Sequence, residues 1–257
     1  MKSTLGFIGG GRITRIILQA IANNKTEYKA SVVYDTNADV LKALKNQFPG
    51  IVVAESAKEV ANQELVFIAL HPPVIMDTLE LVKDHVKPNS ILISLAPKIS
   101  IEKMASKLKD YKNIVRLIPN ATSIVNEGYN PICFSDQMPE EKKQFVLRIL
   151  RRMGRTFEVQ EQKLESYAIM SAMLPTYFWF QWKELVEIGS RIGLTEEESR
   201  NTVRDTMLAA IRTYFYSGLQ PDQVIDLIPV KPIGEYESQV QEFYRSKLVP
   251  LFEKIKP

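Results

Sequence analysis

The chain has 257 residues, 45 % of them hydrophobic and 25 % charged, with a formal net charge of +3, a composition that can bury a sizeable core. Its Lys and Arg residues are scattered and form no basic stripe of the kind nucleic-acid binding needs. The single cysteine, Cys133, excludes an internal disulfide framework and fits a reducing, cytoplasmic setting, and no stretch reaches the roughly 18 apolar residues of a membrane span.

The first 160 residues alternate short β-branched runs with longer helical patterns. Leu5–Ile8 is the first expected strand, too short an apolar run for the core of a signal peptide, and it leads into a helix over Arg12–Ala22. Further strands are expected at Ser31–Tyr34, Ile51–Val53, Leu65–Leu70, Ser90–Leu95, Asn113–Leu117 and Pro131–Phe134, with Arg155–Val159 as the last. Helices are expected between them at Ala38–Gln47, Ala57–Val60, Val74–His85, Ile101–Leu108 and Pro139–Met153. Such alternation implies an α/β, doubly wound, mainly parallel sheet with helices on both faces. Continuously apolar Val66-Phe67-Ile68-Ala69-Leu70 should be a central strand, buried on both sides.

The pattern changes at Glu161. Residues 1–160 therefore read as one α/β domain, and 161–257 as an all-helical domain. Lys163 to Ile192 reads as one long apolar helical region. Thr195 caps a second helix that carries Glu196 to Glu198 in its first turn and stops near Gly218. A short helix follows Pro221, and a last one covers Glu237 to Ile255. The first of these helices is apolar around most of its circumference, which calls for burial on all sides. A domain of this size cannot surround it alone, so a homodimer through the helical domain is expected.

Gly9-Gly10-Gly11-Arg12-Ile13-Thr14 lies between a strand and a helix. The first glycine permits the tight turn, and the second lets backbone approach a pyrophosphate. The helix N-terminus offers N–H groups to phosphate. Thr14 stands where the usual pattern has Gly or Ala. Asp35 ends the second strand, where a carboxylate accepts the ribose hydroxyls of NAD and repels the 2′-phosphate of NADP. Thr36, Asn37 and Arg12 lie near enough to grip a phosphate instead. NAD or NADP is thus the expected cofactor, with Asp35 favouring NAD. Ser56, after the third strand, joins the candidate cofactor residues. So do Ala69, Leu70, His71 and Pro72 after the fourth strand, and Ala96 and Pro97 after the fifth. His71 is also a candidate general acid, while His85 reads as a surface residue late in a helix.

These residues resemble the pyrroline-5-carboxylate reductase family. Gly6-Phe7-Ile8-Gly9-Gly10-Gly11 is similar to the family's opening, and Leu65–Pro72 to its strand ending in a Val-Lys-Pro loop. Ser94–Ile101 is similar to its Ser-x-Ala-Ala-Gly-Ile-Ser segment. Val115-Arg116-Leu117-Ile118-Pro119-Asn120 with Glu127-Gly128 resembles its Arg-x-Met-Pro-Asn run and later Gly-Glu-Gly. Glu161–Tyr177 lines up with a helix start ending in Ser-Gly-Ser-Gly-Pro-Ala-Tyr. The resemblance spans the chain and is most specific over its first 130 residues. It implies a Rossmann domain, a helical dimerisation domain, and a cofactor lying along Gly9–Ile13, Ala69–Pro72, Ala96–Lys98 and Asn120. Asn120, Ser171 and Tyr177 are the candidate groups over a nicotinamide.

The departures fall where the resemblance places substrate. Ser171-Ala172-Met173-Leu174-Pro175-Thr176-Tyr177 has lost both glycines and the second serine of the motif. Lys231-Pro232-Ile233-Gly234-Glu235-Tyr236 replaces the Ser-Pro-Gly-Gly-Thr-Thr loop that holds a carboxylate in the family. A site built on such hydrogen bonds rejects a mismatched partner roughly 10⁴-fold, which argues against pyrroline-5-carboxylate as substrate. The leading expectation is an NAD(P)-dependent oxidoreductase transferring hydride to or from a C=N or C=O group of a small molecule. One alternative is a non-catalytic dinucleotide-binding sensor. Another is a true pyrroline-5-carboxylate reductase that grips the carboxylate through Lys98 or Lys231.

Overall fold

A computed structural model describes residues 3–25 and 28–257. Contacts divide the chain into two compact units, Met1–Met173 with Phe252–Pro257, and Leu174–Leu251.

The first unit is built on a sheet whose order, among the described residues, is β3-β2-β1-β4-β5-β6-β7-β8. The strands are β1 Thr4–Ile8, β2 Ala30–Tyr34, β3 Val52–Val53, β4 Leu65–Ile68, β5 Ile91–Ser94, β6 Ile114–Leu117, β7 Gly128–Phe134 and β8 Gly154–Glu158. β1 through β6 are parallel, β7 runs antiparallel to β6, and β8 is parallel to β7. This is the doubly wound α/β sheet that the alternating pattern implies. β4 is buried along its length, and the Phe7 and Phe67 rings stack at 4.8 Å between the registered strands β1 and β4.

The helices of this unit are α1 Arg12–Asn23, α2 Ala38–Gln47, α3 Ala57–Ala61, α4 Pro72–Val82, α5 Ile101–Lys107, α6 Glu140–Leu150 and α7 Leu164–Tyr167. α4 starts earlier than expected because Pro72 takes its first turn, where a missing N–H costs nothing. It also ends earlier, at Val82. His85 therefore lies beyond the helix, half-buried, with a buried Nδ1 that has no partner among the described residues.

The expected continuous helix from Lys163 to Ile192 is broken. α7 passes into a π-helical turn at Ala168–Ala172, and α8 begins at Leu174 and runs to Arg191. Pro175 supplies the reason: it has no N–H to donate to the carbonyl of Ser171, four residues back. That carbonyl instead accepts from Asn120 Nδ2 at 2.9 Å.

The second unit holds α8, α9 Glu196–Tyr216, α10 Pro221–Asp226 and most of α11 Glu237–Ile255. α9 opens on the full capping box of Thr195 and Glu198. α8 and α9 meet where Gly189 faces Ser199; a Cβ on Gly189 would lie 2.6 Å from the Ser199 hydroxyl. Within the single chain only Gly189 of α8 is buried.

The helical character begins at residue 161, but the compact boundary falls at 173/174. Segment 161–171 belongs to the first unit because Glu161, Glu165 and Ser171 are hydrogen-bonded to β6, β7 and the loops beside them.

Candidate functional site

Gly9 sits at φ +106°, and a Cβ there would lie 2.4 Å from the Ala69 carbonyl oxygen. No other residue fits this turn without moving β4. The Gly10 N–H donates to Asp35 Oδ2 at 2.7 Å, and the Asn37 N–H donates to Asp35 Oδ1 at 2.8 Å. Gly11 is the exposed N-cap residue of α1, with no side-chain cap and no acid in the first turn. The first N–H groups of α1 are thereby left for an anion. Thr14 turns its departure from the usual pattern to use: wholly buried, it donates its hydroxyl to Gly9 O at 2.6 Å.

Asp35 is half-buried and pinned by two backbone N–H groups. Each carboxylate oxygen keeps a further lone pair, so ribose hydroxyls can still be accepted without disturbing the turn. Thr36 beside it is exposed, as is Arg12.

The remaining candidates lie along the same carboxyl edge of the sheet. Ser56 follows β3, but its hydroxyl is taken as the cap of α3, accepting from Glu59 N at 3.4 Å. Ala69 continues the ladder by donating to Ile8 O at 2.8 Å. Leu70 is half-buried, and His71 is the exposed N-cap of α4, making no side-chain cap bond. Ala96 is buried and Pro97 half-buried after β5. Asn120 follows β6. Strand order places β2 and β1 on one side of a topological switch and β4, β5 and β6 on the other. A dinucleotide crosses such a sheet at that point.

Asn120 and Ser171 are brought together. Asn120 Nδ2 donates to Ser171 O at 2.9 Å and to its Oγ at 3.2 Å. Asn120 Oδ1 accepts from both the N–H and the hydroxyl of Thr122, and Ser171 Oγ donates to Tyr129 O at 2.7 Å. Each buried side chain is spent on the other and on backbone, so the pair positions the loop after β6 and has no proton left to give. Tyr177 lies in the second unit, 6.1 Å from Tyr244 ring to ring. Burial, and then Tyr244, push its phenol above the usual value.

A charged cluster escaped the sequence reading. Arg116, in the middle of β6, is wholly buried. Its guanidinium donates to Glu161 Oε1 at 3.0 Å and is in close contact with Glu165 Oε1. Glu165 also accepts from Lys98 N at 3.2 Å, and Glu161 from Ile101 N at 2.8 Å. The available signal was an arginine inside the apolar strand Ile114-Val115-Arg116-Leu117, where an unpaired charge is prohibitively costly. Among the described residues no cluster of His, Cys, Asp and Glu could hold a metal ion, and no helix is long and apolar enough to cross a membrane.

Residues 4–98 match the family described as NADP oxidoreductase coenzyme F420-dependent. The chain is 24 % identical over 230 residues to pyrroline-5-carboxylate reductase of Escherichia coli K12, covering 89 % of this chain and 85 % of that protein. Its fold is similar to that of the Plasmodium falciparum pyrroline carboxylate reductase solved with NADP bound, with TM-score 0.77, 22 % identity, and 98 % and 94 % of the two chains covered. It is similar also to a pyrroline-5-carboxylate reductase from Coxiella burnetii, with TM-score 0.70, 25 % identity, and 99 % and 95 % covered. With its doubly wound sheet followed by helices, the chain is similar in fold along nearly its whole length to solved pyrroline-5-carboxylate reductases.

Proposed function

We propose that this protein is an NAD(P)-dependent reductase acting on a C=N or C=O group of a small molecule. One observation carries the reading: the Gly9–Gly11 turn, locked by Thr14 and Asp35, sits before an uncapped helix N-terminus at the switch point of the sheet. The residues fit a dinucleotide. N–H groups of Gly11, Arg12 and Ile13 would take the pyrophosphate. Asp35 would accept the hydroxyls of the adenosine ribose, which favours NAD, with Thr36 beside it. Ala69–Pro72, Ala96–Pro97 and the Asn120 loop would border the other half. When bound, a reduced nicotinamide supplies a hydride. An iminium already carries positive charge, so its reduction asks little acid catalysis of the protein, which suits an Asn120–Ser171 pair without a spare proton. His71, exposed at the start of α4, and Tyr177 remain the candidates for contact with substrate.

A homodimer through the helical unit belongs to the same reading. Phe180, Phe215 and Phe243 are 67 %, 68 % and 62 % exposed in the single chain, and apolar surface of that kind is ordinarily covered by a partner. A lone buried thiol at Cys133 supports a reducing, cytoplasmic setting.

The test is binding of NADH and NADPH, followed by turnover against cyclic imines, 2-keto acids and aldehydes. Reduction of an imine or carbonyl compound is the expected result. Binding without turnover of any of them would instead make the protein a dinucleotide sensor. Proline-dependent reduction of NAD(P) at high pH would identify pyrroline-5-carboxylate as substrate despite the altered Ser171–Tyr177 and Lys231–Tyr236 segments.

A further inference from the structure

We propose that Arg116 and Glu165 are a positioning pair that sets the loop Ala96–Ser100 and, through it, the seat of the nicotinamide half of a bound dinucleotide. The proposal rests on the reading of this sheet edge as a dinucleotide site.

Three features support it. First, Lys98 is held at φ +75°, a left-handed conformation that a residue with a side chain adopts only when its surroundings impose it. The constraint is visible: its N–H donates to Glu165 Oε1, and three residues on the Ile101 N–H donates to Glu161 Oε1. Both ends of the turn are thus tied to carboxylates from segment 161–165. Second, the two carboxylates converge on one guanidinium. Glu165 is buried and Glu161 half-buried, and carboxylates held together there repel unless a cation lies between them. Arg116 meets them with its two terminal nitrogens only. Its Nε, and Ser94 Oγ beside it in the strand register, have no partner among the described residues. The guanidinium is therefore directed wholly at segment 161–165. Third, β5 and β6 lie across the switch point from β2. The loop after β5 borders the half of a dinucleotide remote from Asp35 and the glycine turn.

The pair acts on the ligand through the loop and touches no reacting atom. Its removal should weaken a whole dinucleotide and spare a fragment that lacks the nicotinamide. The experiment is calorimetric titration of the full chain with NADH and with ADP-ribose, on wild type and on the double variant R116M/E165L. That variant replaces a buried ion pair by apolar groups of similar size, a change folded proteins tolerate well. The expected result is a Kd for NADH about tenfold weaker, with ADP-ribose affinity and thermal midpoint held near wild type. Equal weakening of both ligands would make the pair merely structural and overturn the proposal; unchanged NADH affinity would overturn it too. Should the double variant fail to fold, Glu165→Gln carries the same comparison. It keeps an oxygen for the Lys98 N–H and removes the charge facing Arg116, and a several-fold loss confined to NADH is expected. Wild type that binds neither ligand would bring down the dinucleotide reading, and this proposal with it.

Discussion

The hydroxyl of Thr14 donates to the carbonyl oxygen of Gly9 at 2.6 Å, out of reach of water. A residue on the first turn of α1 thus holds the turn that precedes it, at a position where a smaller residue would only let helix and strand approach. Thr14→Val keeps the shape and removes the donor, leaving a buried carbonyl without its partner. The expected cost is about 1–3 kcal/mol, measured by urea unfolding. Thr14→Ser keeps the hydroxyl and should retain most of the stability. A valine variant as stable as wild type would show that the bond contributes nothing to the turn.

Asp35 is pinned by Gly10 N and Asn37 N, so its carboxylate cannot swing away from a 2′-phosphate without giving up the turn. Asp35→Ser should weaken NADH binding roughly tenfold to a hundredfold, the range for hydrogen bonds to a charged group. The ratio of NADPH to NADH affinity should rise with it. Titration of both cofactors on both proteins is the check, and an unchanged ratio would remove Asp35 from cofactor choice.

Arg116→Ala leaves Glu165 buried beside Glu161 with nothing between them. Breaking a buried pair in this one-sided way costs about 3–5 kcal/mol. Glu161→Gln should cost far less, since the Glu161 side chain is 24 % exposed. Chemical denaturation of the two variants reads the difference, and equal costs would contradict the burial argument.

Burial pushes the Cys133 thiol up to about 11, with the Glu161 carboxylate adding to it. A folded-state value above the unfolded 9.0 means that the folded protein holds the proton more tightly. The associated stability is complete below about pH 9 and is lost as pH rises through about 11. Cys133→Ala should flatten that alkaline loss between pH 8 and 11. At pH 8 the native thiol should react slowly with a disulfide reagent and stoichiometrically once unfolded; fast native labelling would refute the assignment.

Phe215→Glu places a charge on the exposed apolar face of α9. If that face is covered by a second copy, sedimentation should show wild-type dimers and variant monomers at micromolar concentration. A monomeric wild type would end the dimer proposal.

The sequence by itself determined the sheet. Alternation of β-branched runs with helical patterns, the glycines after β1 and the acid after β2 are local signals, readable because each follows from the conformation of a few adjacent residues. Thr195 and Glu198 announced α9 for the same reason. Tertiary structure decided the rest. Whether Asn120 donates a proton or braces a loop depends on Ser171, 51 residues away. The break of the long helix at Ala168–Ala172 was half legible in Pro175, but the partner that takes the released carbonyl is Asn120, from another loop. Arg116 was visible as a charge in an apolar strand, while its carboxylates stand 45 and 49 residues on. A hydrogen bond or ion pair across such distances is made by the packing of the elements, and a sequence records only that each partner exists.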